Sequence, residues 1–229
     1  MKKATWLLGA AAAALLASGA PLTIKAAGPG ESQNANLTTT TAGFELTADT
    51  DTAVANSVAQ FSIDPGTLAL KEVPNLHFTN GKVSDLTGKA ATLQLLDGTV
   101  DPGTPGYDGS SDKKIQVLDY RGTNTGWTLN AKLGDFSNTK TIISPTSLTL
   151  TGSVVADDDS GSLNNVNIVG QGATVLSPAA DHGSGSTVVT LTSAPLELPK
   201  TLLVTPGQYR AQITWTLEAM PVPDSSNGQ

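Results

Sequence analysis

From Phe44 onward the chain alternates apolar and polar residues in short runs, and Gly, Pro, Asn and Asp punctuate those runs at short intervals. The alternation predicts strands at Phe44–Ala48, Ser57–Asp64, Thr67–Leu70, Leu76–Thr79, Ala91–Leu96 and Ile115–Asp119. It predicts five more at Trp127–Leu133, Ser147–Ser153, Asn165–Val169, Thr187–Thr192 and Gln208–Leu217. No long stretch repeats apolar residues at helical spacing, and Thr, Val, Ser, Gly and Pro are plentiful, so helix content should be low. The expected fold is all-β, an antiparallel β-sandwich or barrel of short strands in a single domain.

Two of these runs carry the same three-residue string, Trp127-Thr128-Leu129 and Trp215-Thr216-Leu217. Trp127, Leu129, Ala131 and Leu133 share one strand face, opposite Thr128, Asn130 and Lys132. Tyr209, Ala211, Ile213, Trp215 and Leu217 share one face, opposite Arg210, Gln212, Thr214 and Thr216. Both strands therefore read as half-buried. Two indoles placed alike suggest one shared job, either a paired core anchor or a paired aromatic surface for a ligand. The two jobs are compatible if a ring packs on one side and meets a sugar on the other.

The first 27 residues read as a secretory signal peptide. Met1-Lys2-Lys3 is a basic start, Trp6 to Ala17 is an apolar run too short to span a bilayer, and small residues follow to Ala26-Ala27. Residues 28–43 form a flexible Thr/Ser/Asn-rich lead-in, 44–221 the β domain and 222–229 a disordered tail. The chain holds 13 basic and 20 acidic residues; Lys2, Lys3 and Lys25 leave with the leader, so 10 face 20 and the net charge becomes −10. That balance disfavours nucleic acid and anionic membrane, and no direct membrane insertion is expected. There is no cysteine, so an exported chain of this kind relies on its core alone.

The flanks of the two strings are specific. Asp119-Tyr120-Arg121-Gly122-Thr123-Asn124-Thr125-Gly126 leads into Trp127, and Val204-Thr205-Pro206-Gly207-Gln208-Tyr209 precedes Trp215 by six residues from Tyr209. Together these resemble the WxL domain, a cell-surface module of Gram-positive bacteria, over about Phe44 to Leu217. The resemblance implies a secreted protein held non-covalently on the cell wall, with peptidoglycan as the recognised polymer. It also implies partners, namely larger WxL proteins and a membrane-anchored WxL-interacting protein. By position the wall- or partner-binding residues are Trp127, Leu129, Trp215, Leu217, Tyr209, Asp119 and Arg121, with Gly122, Gly126, Pro206 and Gly207 as structural motif residues. The alternative is a structural subunit of a surface complex that acts mainly through protein contacts.

Asp119 and Arg121, at i and i+2, share a strand face. The guanidinium fork could bind a ligand carboxylate in two places, or bridge internally and pin the loop to Gly126. Catalysis is not expected. The chain has no cysteine nucleophile, no Gly-x-Ser-x-Gly elbow and no phosphate-cradling loop. Its two histidines, His77 and His182, lie far apart, and Asp181-His182 beside Ser184 and Ser186 lacks the geometry of a triad. No cofactor is expected. Asp97, Asp101, Asp108 and Asp112, and the turn Asp157-Asp158-Asp159, offer oxygens of the kind calcium takes, without EF-hand spacing. Leu198-Pro199-Lys200-Thr201 looks like the start of a sortase signal, but Leu202 follows instead of Gly and no apolar tail comes after it, which favours non-covalent attachment.

Overall fold

The computed structural model describes residues 25–28, 31–35, 58–101, 107–157 and 160–220. The chain divides into two compact units, Met1–Ile63 and Asp64–Gln229. In the first, β1 (Lys25–Gly28) pairs antiparallel with β2 (Glu31–Ala35), within the expected leader and lead-in. Val58–Ile63, which closes this unit, forms no strand, contrary to expectation; its alternation is real, but among the described residues no strand pairs with it. The strand expected at Phe44–Ala48 and the tail lie outside the described residues.

The second unit carries β3 (Leu68–Glu72), β4 (His77–Phe78), a helix α1 (Val83–Gly88), β5 (Ala91–Leu93), β6 (Leu95–Asp97) and β7 (Lys114–Asp119). There follow β8 (Trp127–Leu133), β9 (Phe136–Ser137), β10 (Ile142–Ile143), β11 (Ser147–Ala156) and β12 (Ser160–Asn167). Last come β13 (Ala173–Leu176), β14 (Gly185–Ser193), β15 (Leu196–Leu198) and β16 (Ile213–Ala219). The expected strand at Ala91–Leu96 divides into β5 and β6, and the one at Gln208–Leu217 begins only at Ile213, because Pro206-Gly207 turns the chain first. β9, β10, β13, β15 and α1 were not anticipated. Each is too short to show a period: α1 is six residues and buries only Leu86.

Every strand pair in this unit is antiparallel. A seven-stranded sheet runs β3-β7-β14-β11-β15-β5, with β12 on the other side of β11. A three-stranded sheet runs β13-β8-β16. Neither closes into a barrel, so the open sandwich is the alternative realised. Pro195 separates β14 from β15, which both lie along the same side of β11. At Gly152, β11 shifts register against both neighbours; a Cβ there would stand 2.6 Å from the Thr190 carbonyl oxygen, so the bulge needs glycine.

The core draws on both sheets. Ile115, Val117, Leu148, Leu150, Val189, Leu191 and Leu196 come from the large sheet, and Trp127, Leu129, Leu133 and Val175 from the small one. Period-two alternation places them: β8 is buried at every second residue from Trp127 to Leu133. Thr187 breaks the pattern, being 5% exposed with its Oγ1 unbonded. A hydroxyl stripped of water without a partner costs free energy that an isosteric methyl does not. Thr187→Val should therefore stabilise the fold by about 1 kcal/mol, read as a rise of roughly 2–4 °C in the midpoint of thermal unfolding.

Candidate functional site

The two Trp-x-Leu strings are direct neighbours. β8 and β16 pair with Leu129 opposite Leu217, Ala131 opposite Trp215 and Ala219 opposite Trp127. Cross-strand partners face the same side, so both indoles lie on the core face of one sheet. They stand four register positions apart, about 13 Å along the strand at roughly 3.3 Å per residue, and their surroundings differ.

Trp127 is 0% exposed, and its indole N–H donates to the Gly183 carbonyl at 2.9 Å. Gly183 adopts φ +79°, and a Cβ on it would meet Pro178 and stand 2.8 Å from the indole nitrogen. Only glycine lets that backbone come so close. Leu129 is likewise fully buried. For both residues the surface role implied by resemblance has no exposed area to act through, and the geometry is that of core anchors. Leu217 is half-buried across from Leu129.

Asp119 and Arg121 resolve the alternatives left open for them. Arg121 Nε donates to Asp119 Oδ1 at 2.9 Å, and Nη2 donates both to Asp119 Oδ2 at 2.7 Å and to the Gly126 carbonyl at 2.9 Å. The Arg121 backbone N–H also donates to Asp119 Oδ1, at 3.2 Å. The Nε and Nη2 donors go to an internal bridge that pins the loop. Gly122 and Gly126 sit at φ +69° and +75°, as turn positions that favour glycine. Asn124, at φ +52°, accepts the Asp181 N–H on its carbonyl and the Ser184 hydroxyl on its side chain. The loop before the first string is thus sewn to the Gly/Ser-rich loop at 177–186. Sequence reading missed Asn124 and Gly183; the only available signal was the Gly/Ser run itself.

The second string faces a cleft of about 1220 Å³. Trp215 is half-buried and lines it, with Leu70, Leu76, Phe78, Phe136 and Ile213 as apolar walls and Leu148 and Leu196 at depth. Tyr209 and Arg210 add polar groups to the lining, whereas Gln212 and Thr214 are exposed on the strand face opposite Trp215. The Tyr209 hydroxyl donates to the Thr205 carbonyl at 2.8 Å and accepts the Thr205 N–H at 3.3 Å, so it braces the turn at Pro206-Gly207. Arg210 reaches across to Asp101, donating from Nε to its carbonyl and from Nη2 to its carboxylate at 2.7 Å. Leu202 and Leu203, 69% and 86% exposed, follow the Leu198-Pro199-Lys200-Thr201 string, whose Leu198 is buried and whose Thr201 N–H donates to Leu86.

In the acidic loops, Asp97, Asp101 and Asp157 bond protein donors. Asp97 accepts from the Thr99 N–H and contacts His77 Nδ1, which holds its carboxyl below the ordinary range. Asp157 accepts the Ser186 N–H at 2.7 Å. Among the described residues no three His, Asp or Glu side chains gather as metal ligands, and no helix is long and apolar enough to cross a membrane.

A family model described as "WxL domain surface cell wall-binding" matches residues 59–221. No curated protein and no solved structure matches the chain.

Two outcomes follow from the bridge and the two rings. The Asp119 carboxyl lies below its ordinary value, first through the hydrogen bonds from the Arg121 side chain, against the opposing pull of burial. A carboxylate depressed in the folded state stabilises the fold above about pH 4, and that contribution drains as pH falls through the folded value. Asp119→Asn should cost about 3 kcal/mol at neutral pH and flatten the loss of stability below pH 5, measured by urea unfolding across pH. With Trp6 replaced by Phe throughout, Trp215→Phe should leave an emission shielded from acrylamide, and Trp127→Phe one that is quenched more readily.

Proposed function

The chain belongs to the WxL family of surface cell-wall-binding domains, and from that membership we propose that it docks peptidoglycan at the cleft beside its second Trp-x-Leu string. A cell-surface, wall-binding role comes with the family, which is one of binding domains rather than enzymes. The finer assignment rests on one observation. Of the two tryptophans in the β domain, only Trp215 is partly exposed and lines an open cleft, which Tyr209 and Arg210 line as well. A sugar ring presents a C–H face to an indole and hydroxyls at its edge, so an aromatic wall flanked by fixed donors and acceptors suits it.

In this reading the residues divide by task. Trp215 supplies the stacking face. Arg210, oriented by Asp101, supplies donors at the rim. Tyr209, Pro206 and Gly207 hold the turn that carries them. Trp127, Leu129, Asp119, Arg121, Gly122 and Gly126 keep β8 in place beneath. The protein acts without catalysis, outside a Gram-positive cell, after removal of the leader. Larger WxL proteins and a membrane-anchored WxL-interacting protein are its proposed partners. The exposed apolar side chains Leu202 and Leu203 favour protein contacts as a second role.

Washed, protein-free cell walls should retain the purified protein, and Trp215→Ala should weaken retention by about 30-fold, the loss of roughly 2 kcal/mol typical of an aromatic hot spot. Retention unchanged by Trp215→Ala, with the fold intact by circular dichroism, would remove the cleft from the assignment. Release of reducing sugars from the walls would remove the non-catalytic part.

A further inference from the structure

The cleft wall joins an asparagine to a glycine. Asn80 and Gly81 are both exposed, and both line the cleft, as do His77 and Lys82. They take irregular backbone between firm anchors. Before them, the Thr79 N–H donates to the Gln94 carbonyl at 2.9 Å, and the Gln94 N–H donates to the Thr79 hydroxyl at 3.0 Å. After them, the Lys82 carbonyl accepts from the Asp85 and Leu86 N–H groups as α1 begins.

Other asparagines of the β domain differ on two counts. Asn124, Asn130, Asn138 and Asn167 hold side-chain hydrogen bonds within the fold. The residues after them are Thr125, Ala131, Thr139 and Ile168. Both differences bear on one reaction, because the main-chain nitrogen that follows an asparagine can attack its side-chain amide. A Cβ on the next residue crowds that approach, and glycine has none. An exposed amide on irregular backbone can turn toward its neighbour. One that is tied into the fold must first give up its bonds by local opening.

We propose that Asn80-Gly81 is a site of spontaneous deamidation, which places a new carboxylate on the cleft wall. The Gly81 nitrogen forms a bond to Asn80 Cγ, and the bond from Cγ to the side-chain nitrogen breaks. A proton passes through water from the Gly81 N–H to the departing nitrogen, which leaves as ammonia. Water then opens the cyclic imide. Entry at Cγ gives aspartate; entry at the main-chain carbonyl carbon gives isoaspartate, with the backbone rerouted through Cβ and Cγ. Water is consumed and ammonia released in equal amounts, and nothing is oxidised or reduced. Either product adds a negative charge beside the segment that carries Lys82, and isoaspartate also lengthens the link between Thr79 and α1. A change in wall retention follows on the reading that the cleft docks the wall; the modification itself does not rest on that reading.

The purified full chain, kept for weeks at mildly alkaline pH, should gain at Asn80 the mass difference of OH for NH2 in peptide maps. It should do so severalfold faster than at Asn124, Asn130 or Asn138. The maps keep Asn80 apart from the second Asn-Gly pair, Asn227-Gly228, which lies outside the described residues. A Cβ on Gly81 would stand 3.6 Å from Leu86 Cδ1 and Leu93 Cδ2, an ordinary contact, so Gly81→Ala fits the fold. That variant should slow the reaction at Asn80 severalfold. An Asn80 that ages no faster than the other three would overturn the proposal, and so would an unchanged rate in Gly81→Ala. Aged wild type should differ from fresh protein in wall retention, while Gly81→Ala aged alongside keeps its starting value. Fresh protein that fails to bind walls would remove the docking reading and leave the mass readout to judge Asn80.

Discussion

A buried indole must find an acceptor for its N–H, and in this protein the carbonyl of Gly183 provides it. That single bond ties β8 to a loop 56 residues further along the chain. Much of the surrounding architecture serves it. Gly183 has no side chain because none fits beside the ring. Asn124 holds the same loop from the other side, and Arg121 clamps the Gly126 carbonyl, one residue before Trp127, from its bridge to Asp119. A bridge at 6% and 17% exposure is weak as a source of net stability but costly to break, so its value lies in fixing one geometry.

The same string in β16 meets another fate because of where the strand sits. β8 is central in its sheet and faces the core along its length, whereas β16 is an edge, paired on one side only among the described residues. Central strands bury what they point inward; edge strands share it with whatever opens beside them. Hence Trp127 is an anchor and Trp215 a wall of the cleft, although the two are neighbours in one ladder. The idea of a single paired aromatic surface does not survive this arrangement. What survives is a division of labour, with one string holding the scaffold and the other presented by it.

The cleft follows from the unequal sheets of the unit from Asp64 onward. Sheets of unequal size cannot cover one another completely, and the seven-stranded sheet extends past the three-stranded one. The uncovered margin leaves apolar side chains such as Leu70 and Phe78 lining space instead of packed against partners. Such a margin is a natural place for a ligand.

Period-two alternation by itself determined the fold class, most of the long strands and the inward faces of β8 and β16, since strand geometry sends successive side chains to opposite sides whatever else the chain does. Recognition of the family was also legible, carried by two strings and their flanks. The internal bridge at Asp119 and Arg121 was one of two readings, because spacing shows that a fork can reach a carboxylate but not whose carboxylate it is. Only the tertiary structure decided that Ser57–Asp64 has no pairing partner over its described residues, that Trp127 and Trp215 differ, and that Gly183 and Asn124 matter. Each of those facts depends on which backbone lies alongside, and neighbours brought together from distant stretches leave no period in the sequence to read.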